Sequence, residues 1–197
     1  MRAKTIFAGL LGALALALPA AAQRDRSPEE IAAAKALSEK MAADPTLSPQ
    51  ANADFLANNL KQPGMQKTRS GVQYKIIQNG FGRHPGPGDM VEVYYTARLV
   101  NGKMVDGTSP GLPASFPVTV GSLIPGWVEV LQLMRVGDHW QVTIPGNLAY
   151  GVKGSPDGGI PPNQVMVFDL RLLNDKPPPK KGDPDYRPQP GDQDDQK

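Results

Sequence analysis

The clearest periodic signal in the chain lies between residues 90 and 100, where Val91, Val93, Tyr95, Ala97 and Leu99 alternate with polar or amphipathic residues. Alternation at a period of two marks a strand with one buried face. Trp140, Val142 and Ile144 repeat the pattern, as do Met166, Phe168, Leu170 and Leu172. Residues 73–78 and 114–120 are further candidate strands. The period changes once: Trp127, Val130, Leu131 and Met134 fall at i, i+3, i+4 and i+7, the spacing of one apolar helix face. Asn101-Gly102 predicts a hairpin turn after the longest strand, because both residues tolerate positive φ. Antiparallel strands with one short helix imply an α+β domain over residues 64–174, a curved sheet wrapped on that helix.

The flanks have other patterns. Residues 23–63 read as two short helices. Ser27-Pro28-Glu29-Glu30 is a start signal, followed by Ile31, Ala34, Leu37 and Met41 at roughly helical spacing. Asp44-Pro45 ends that helix. Ser48-Pro49 starts the next, with Phe55, Leu56 and Leu60 as its stripe and Pro63-Gly64 at its end. Short Ala-rich helices bury little alone, so this segment is expected to pack on another copy or a partner, or to stay loosely ordered. Residues 175–197 are rich in Pro, Asp, Lys and Gln and predict a disordered tail. Residues 1–22 have the form of a cleavable export signal: Arg2 and Lys4, an apolar run from Ile6 to Leu18, then Pro19 and Ala20-Ala21-Ala22, with cleavage expected after Ala22. The run is short for a hydrocarbon core of ~30 Å.

Composition narrows the chemistry. The chain has no cysteine, which excludes disulfides, thiolate catalysis and Cys-ligated zinc. His84 and His139 are far apart in sequence, and no carboxylate–His cluster has metal-ligand spacing. Of 21 Lys and Arg, Arg2 and Lys4 belong to the leader; the remaining 19 match 19 Asp and Glu, a balance that predicts no nucleic-acid partner. The 21 Pro and 21 Gly require many turns. Met41, Met90, Met104, Met134 and Met166 are expected mostly in the core. Gly107-Thr108-Ser109-Pro110-Gly111 matches a hydrolase nucleophile elbow in letters only: the residue after the serine must donate its N–H to the oxyanion, and Pro110 has none.

A family resemblance rests on several motifs in order. Leu123-Ile124-Pro125-Gly126-Trp127, Ile144-Pro145 with Leu148-Ala149-Tyr150-Gly151, Gly159-Ile160-Pro161-Pro162-Asn163 and Val167-Phe168-Asp169-Leu170 resemble elements of bacterial FKBP-type peptidyl-prolyl isomerases. Val93-Tyr94-Tyr95-Thr96 and Gly102-Lys103-Met104-Val105-Asp106 resemble two more upstream. The likeness covers residues 71–173. Leader, N-terminal helices, domain and Pro/Lys tail together resemble the periplasmic FKBP chaperones and the macrophage-infectivity-potentiator group, which dimerise through N-terminal helices. Here that segment is much shorter.

The resemblance implies an isomerase of X-Pro bonds that needs no cofactor or metal, works on folding exported proteins in the periplasm, and binds macrolides. It implies a slot with Trp127 as floor, Tyr95, Phe116 and Phe168 as walls, and Val105, Leu123 and Ile160 completing the lining. The Ile124 N–H and the Tyr150 hydroxyl would bind substrate carbonyls, and Asp106 would sit beside the twisting carbonyl. Taken singly, Tyr95, Trp127 and Phe168 are better explained as core residues than as ligand contacts, since periodicity already points them inward. Tyr150 lies in a loop, where packing is a poorer explanation. Three positions depart from the family pattern: Val105 stands in place of Phe, Gly107-Thr108 in place of two serines, and Ala97 in place of Gly. The smaller Val105 predicts a wider or wetter pocket with weaker macrolide binding. The departure at Val105 and the added N-terminal helices favour a second reading, a FKBP-fold holding chaperone with weak or no isomerase activity.

Overall fold

The alternating segment forms an interior strand of a seven-stranded sheet in a computed structural model that describes residues 43–178 continuously, with isolated helical positions at 28, 29, 32, 36, 39 and 40. The expected export signal, the stripe of the first helix and the tail beyond residue 178 lie outside the described residues. In chain order the elements are α1 (Pro49–Asn59), β1 (Gln66–Lys67), β2 (Gln73–Gln78), β3 (Met90–Leu99), β4 (Met104–Gly107), β5 (Ala114–Pro117), α2 (Pro125–Leu133), β6 (His139–Ile144) and β7 (Met166–Lys176). The sheet order is β1-β2-β6-β7-β3-β4, with β5 also on β3, and every pairing is antiparallel.

β3 organises the site. One edge pairs with β7 from Met90↔Lys176 to Leu99↔Met166. The other edge is shared: β5 covers Met90 to Val93, and β4 covers Thr96 to Arg98. Tyr95 falls in the gap between them. Thr108 fills that gap, accepting from the Tyr95 N–H on its hydroxyl at 3.1 Å and donating its own N–H to the Tyr95 carbonyl at 3.0 Å. An open strand edge beside a buried ring is thereby satisfied.

The inward faces agree with the periodicity. Val91, Val93, Tyr95, Ala97 and Leu99 on β3, and Trp127, Val130, Leu131 and Met134 along α2, are all buried. α2 starts at Pro125 and comes so close to β6 that a Cβ on Gly126 would lie 2.5 Å from Ile144 Cγ2. Only glycine allows that approach, and it seats Trp127 against the sheet. The Asn101-Gly102 turn joins β3 to β4, with Gly102 at φ +83° and the Asn101 side chain accepting from the Lys103 N–H.

Several expectations are corrected. β1 and β4 have no periodic signal of their own and arise from pairing with longer neighbours. The 114–120 strand stops at Pro117, where proline ends the ladder. Met134 and Met166 are core residues, but Met90 and Met104 are 45% and 49% exposed, because Met90 occupies the outward phase of β3 and Met104 opens an edge strand. β7 continues through Lys176, so Asp175 and Lys176 belong to the sheet and not to a tail. The Asp175 carboxylate is buried and meets Arg83, which also binds Asp89.

α1 docks on the chain's own domain. Ser48 caps it by accepting from the Ala51 N–H at 3.2 Å, and Leu47 just before it joins the core. The residue that α1 buries is not from the apolar stripe but Asn52, while Leu60 is 38% exposed. Asn59 donates to Gln73 and Thr143 on β2 and β6. Through these polar contacts one face of the helix packs within its own chain.

Candidate functional site

Four rings from four elements meet inside the curve of the sheet: Tyr95 of β3, Phe116 of β5, Trp127 of α2 and Phe168 of β7. The Trp127 indole is central, with centroids 5.2 Å from Tyr95 at 90°, 5.7 Å from Phe116 at 87° and 5.5 Å from Phe168 at 75°. Tyr95 and Phe116 lie 6.1 Å apart. Edge-to-face contact places the positive rim of one ring on the negative face of the next, worth about 0.5–1.5 kcal/mol per pair beyond burial. Leu123 and Ile124 lead into α2, and both are buried, as is Ile160. Ile124 is the N-cap residue of α2, extended at φ −61° and ψ 144°, and its N–H has no backbone acceptor among the described residues. The indole Nε1–H of Trp127 is also buried without an acceptor. A buried unsatisfied donor costs about 1–3 kcal/mol, so the fold retains this one against its own stability.

Polar groups stand on one side of the rings. The Tyr95 hydroxyl donates to Asp106 Oδ2 at 2.8 Å, and Asp106 Oδ1 accepts from the Gly107 N–H at 2.8 Å. Asp106 and Val105 are half-buried on β4, and Val105 packs against the core. Tyr150 follows a short 3-10 turn at Gly146–Leu148 and is half-buried. Burial, then the charge of Asp106, pushes the Tyr95 hydroxyl far above the ordinary phenol value. Burial and the same charge do so for Tyr150. Both phenols therefore keep their protons and act as hydrogen-bond donors around one carboxylate.

Of the residues expected at the site, Tyr95, Phe116, Trp127 and Phe168 form the cluster, Asp106 bonds to Tyr95, and Leu123, Ile124, Ile160, Val105 and Tyr150 belong to or pack on the same hydrophobic core. The state of the cluster differs from the expectation. Trp127 and Phe168 expose no surface, and Tyr95 exposes 2%. The indole is sealed by its neighbours and is not an open floor, because the edge-to-face contacts use the space above it. Two open grooves lie at the surface, one of about 350 Å³ between α1 and β2 around Phe55, Asn59 and Lys75, the other of about 360 Å³ reaching Tyr95 beside Tyr94, Thr108 and Arg171; neither is lined by Trp127 or Tyr150. Among the described residues no group of His, Asp and Glu can hold a metal ion, and no helix is long and apolar enough to cross a membrane. The sequence motifs did not single out Thr108 as the patch beside Tyr95, nor Asn52. The available signal for Asn52 was its place on the Leu56 face of α1, where an apolar residue is the norm.

Comparison with known proteins fits this geometry. Residues 82–173 match the family model described as FKBP-type peptidyl-prolyl cis-trans isomerase, and residues 2–76 match the domain amino terminal to it. The chain is 43% identical over 120 residues to the FKBP-type 22 kDa peptidyl-prolyl cis-trans isomerase of Escherichia coli (strain K12), covering 60% of this chain and 57% of that one. It is 45% identical over 123 residues to the outer membrane protein MIP of Legionella longbeachae, covering 62% and 52%. The match thus spans little more than half the length of these curated relatives. Among solved structures, FkpA from Escherichia coli superposes with a TM-score of 0.64 at 36% identity, over 75% of this chain and 67% of that one. A peptidyl-prolyl cis-trans isomerase from Pseudomonas syringae superposes with a TM-score of 0.60 at 32% identity, over 68% of this chain and 97% of that one. Fold, ring cluster and these likenesses agree: the chain belongs to the FKBP-type peptidyl-prolyl cis-trans isomerase family.

Proposed function

We propose that this chain catalyses cis/trans isomerisation of X-Pro bonds in folding exported proteins. The observation that carries this reading is a buried four-ring cluster with one carboxylate beside it, the Tyr95 hydroxyl of the cluster fixed on Asp106 at 2.8 Å. The barrier to rotation is ~18–20 kcal/mol because the C–N bond has double-bond character. No bond is broken, so no nucleophile or general base is needed. Removing water disfavours the charge-separated planar amide, and fixed dipoles then favour the twisted one. The unpaired Ile124 N–H and the Tyr150 hydroxyl supply donors for substrate carbonyls. Asp106, oriented by Tyr95 and the Gly107 N–H, supplies a fixed charge beside the turning carbonyl. Trp127 has no exposed surface, so in this reading a prolyl ring reaches it only when Tyr95 or Phe116 gives way. Macrolides would use the same opening.

Residues 1–22 support export and a periplasmic location, and dimerisation would fall to the residues before α1, since the Asn52 face of α1 is already occupied. A second reading, a holding chaperone, is favoured by the sealed indole together with apolar side chains on nearby loops: Leu112, Val120 and Val152 are 66%, 92% and 78% exposed. A protease-coupled assay on an Ala-Leu-Pro-Phe peptide separates the two. Isomerase function predicts acceleration that Tyr150→Phe and Asp106→Ala each reduce while the fold persists. No acceleration by the native protein, with aggregation suppression that survives both changes, refutes it in favour of holding.

A further inference from the structure

α1 reaches the candidate site through buried amides. Asn52 Oδ1 accepts from the Val165 N–H at 3.1 Å. Its Nδ2 faces the Leu47 carbonyl at 3.3 Å, the Ser48 carbonyl at 3.2 Å and Gln164 Oε1 at 3.3 Å. Gln164 Nε2 in turn donates to the Leu47 carbonyl at 3.0 Å. Leu47, Asn52, Gln164 and Val165 are each no more than 6% exposed. Burial alone would be served better by a leucine; an amide at this depth fixes geometry, because each of its bonds has one direction.

What Asn52 holds is the end of the segment that begins at Ile160. That segment has little slack. Ile160 and Ser155 exchange both backbone hydrogen bonds, at 2.8 and 2.9 Å. The Asn163 N–H donates at 2.7 Å to the carbonyl of Gly151, the neighbour of Tyr150. A Cβ on Gly146 would lie 2.4 Å from the Asn163 carbonyl oxygen, and one on Gly154 would lie 2.5 Å from that of Ile160. Backbone therefore touches backbone on both sides. A shift at residues 164–165 passes to Ile160 and to the Tyr150 loop instead of being absorbed by side chains.

We propose that Asn52 is a positioning residue for the isomerase site, acting through Gln164 and Val165 to set Ile160 and Tyr150. The inference rests on the isomerase reading above. α1 carries its own control: Asn59 makes similar part-buried bonds, to Gln73 Oε1 at 2.8 Å and Thr143 Oγ1 at 3.2 Å, but on β2 and β6, outside the 160–165 segment.

The experiment compares Asn52→Ala and Asn59→Ala in the full chain. Both are expected to lower the urea midpoint. Only Asn52→Ala is expected to lower kcat/KM on the tetrapeptide, by about tenfold, the scale of a remote misplacement of reacting groups. It is also expected to speed amide hydrogen exchange at Ile160 and Asn163, whereas Asn59→Ala changes both readouts less than about twofold. Equal effects of the two variants, or unchanged exchange at Ile160 and Asn163 in Asn52→Ala, overturn the proposal. If Asn52→Ala does not fold, Gln164→Leu is read in its place by the same criteria. A native protein without isomerase activity defeats the isomerase reading, while the exchange comparison still decides whether Asn52 positions the segment.

Discussion

The Tyr95–Asp106 contact is the most informative place to perturb the site. Tyr95→Phe removes one oxygen and leaves the ring that meets Trp127 edge-on. The lost bond is 2.8 Å long, goes to a carboxylate, and belongs to a side chain 2% exposed. A hydrogen bond to a charged group contributes about 1.5–3 kcal/mol. Asp106→Ala takes the other partner away and leaves the phenol donor buried, at a cost of about 1–3 kcal/mol. In Tyr95→Phe the half-buried carboxylate keeps the Gly107 N–H and is reached by water, so that single change costs less, about 1 kcal/mol. The double variant should therefore be less destabilised than the sum of the singles, with a coupling of about 1.5–2 kcal/mol. Urea unfolding of the four proteins at pH 7 gives the cycle directly. The peptide assay on the same set should show Tyr95→Phe reducing kcat/KM about three- to tenfold, since a carboxylate that has lost its bond to Tyr95 presents a less fixed field. A coupling below about 0.5 kcal/mol would mean that the contact contributes little, and the site argument built on it would fail.

Other outcomes follow from single features. Gly126→Ala places a methyl 2.5 Å from the side chain of Ile144, so it should cost about 1–3 kcal/mol in urea unfolding and disturb the Trp127 fluorescence; a neutral change would show that α2 does not sit this close. Val105→Phe should raise macrolide affinity, measured by calorimetry, and no gain would show that the missing aromatic wall is not what limits binding. Burial and Asp106 hold the Tyr95 and Tyr150 hydroxyls above the ordinary phenol value, so the folded chain retains protons that the unfolded chain releases near pH ~10. Their contribution to stability is complete below pH ~10 and declines above it, by up to about 1.4 kcal/mol per pH unit for each group. Urea midpoints between pH 9 and 11 should fall, less steeply in Tyr95→Phe; a slope unchanged by that substitution would contradict the burial argument.

Patterning along the chain accounts for the long elements and for the rings that meet in the candidate site. A period of two over residues 90–99 and 166–172, and of 3.6 over 127–134, states which side of each segment is buried, and the ordered motifs identify which residues converge. The sequence by itself did not determine neighbours. Met90 is as apolar as Met166, yet one is 45% exposed and the other 0%, because exposure depends on the phase of the strand and on what covers it. β4 exists because β3 offers an edge, and Thr108 matters because Tyr95 falls where β5 has ended and β4 has not begun. Asn52 interrupts a weak apolar stripe, and only the fold places the Val165 N–H opposite its side chain. The sealing of Trp127 was likewise invisible in one dimension: periodicity fixes the direction in which a ring points, while the distance between rings from four separate elements is set only when the sheet curves and α2 settles against β6 at Gly126.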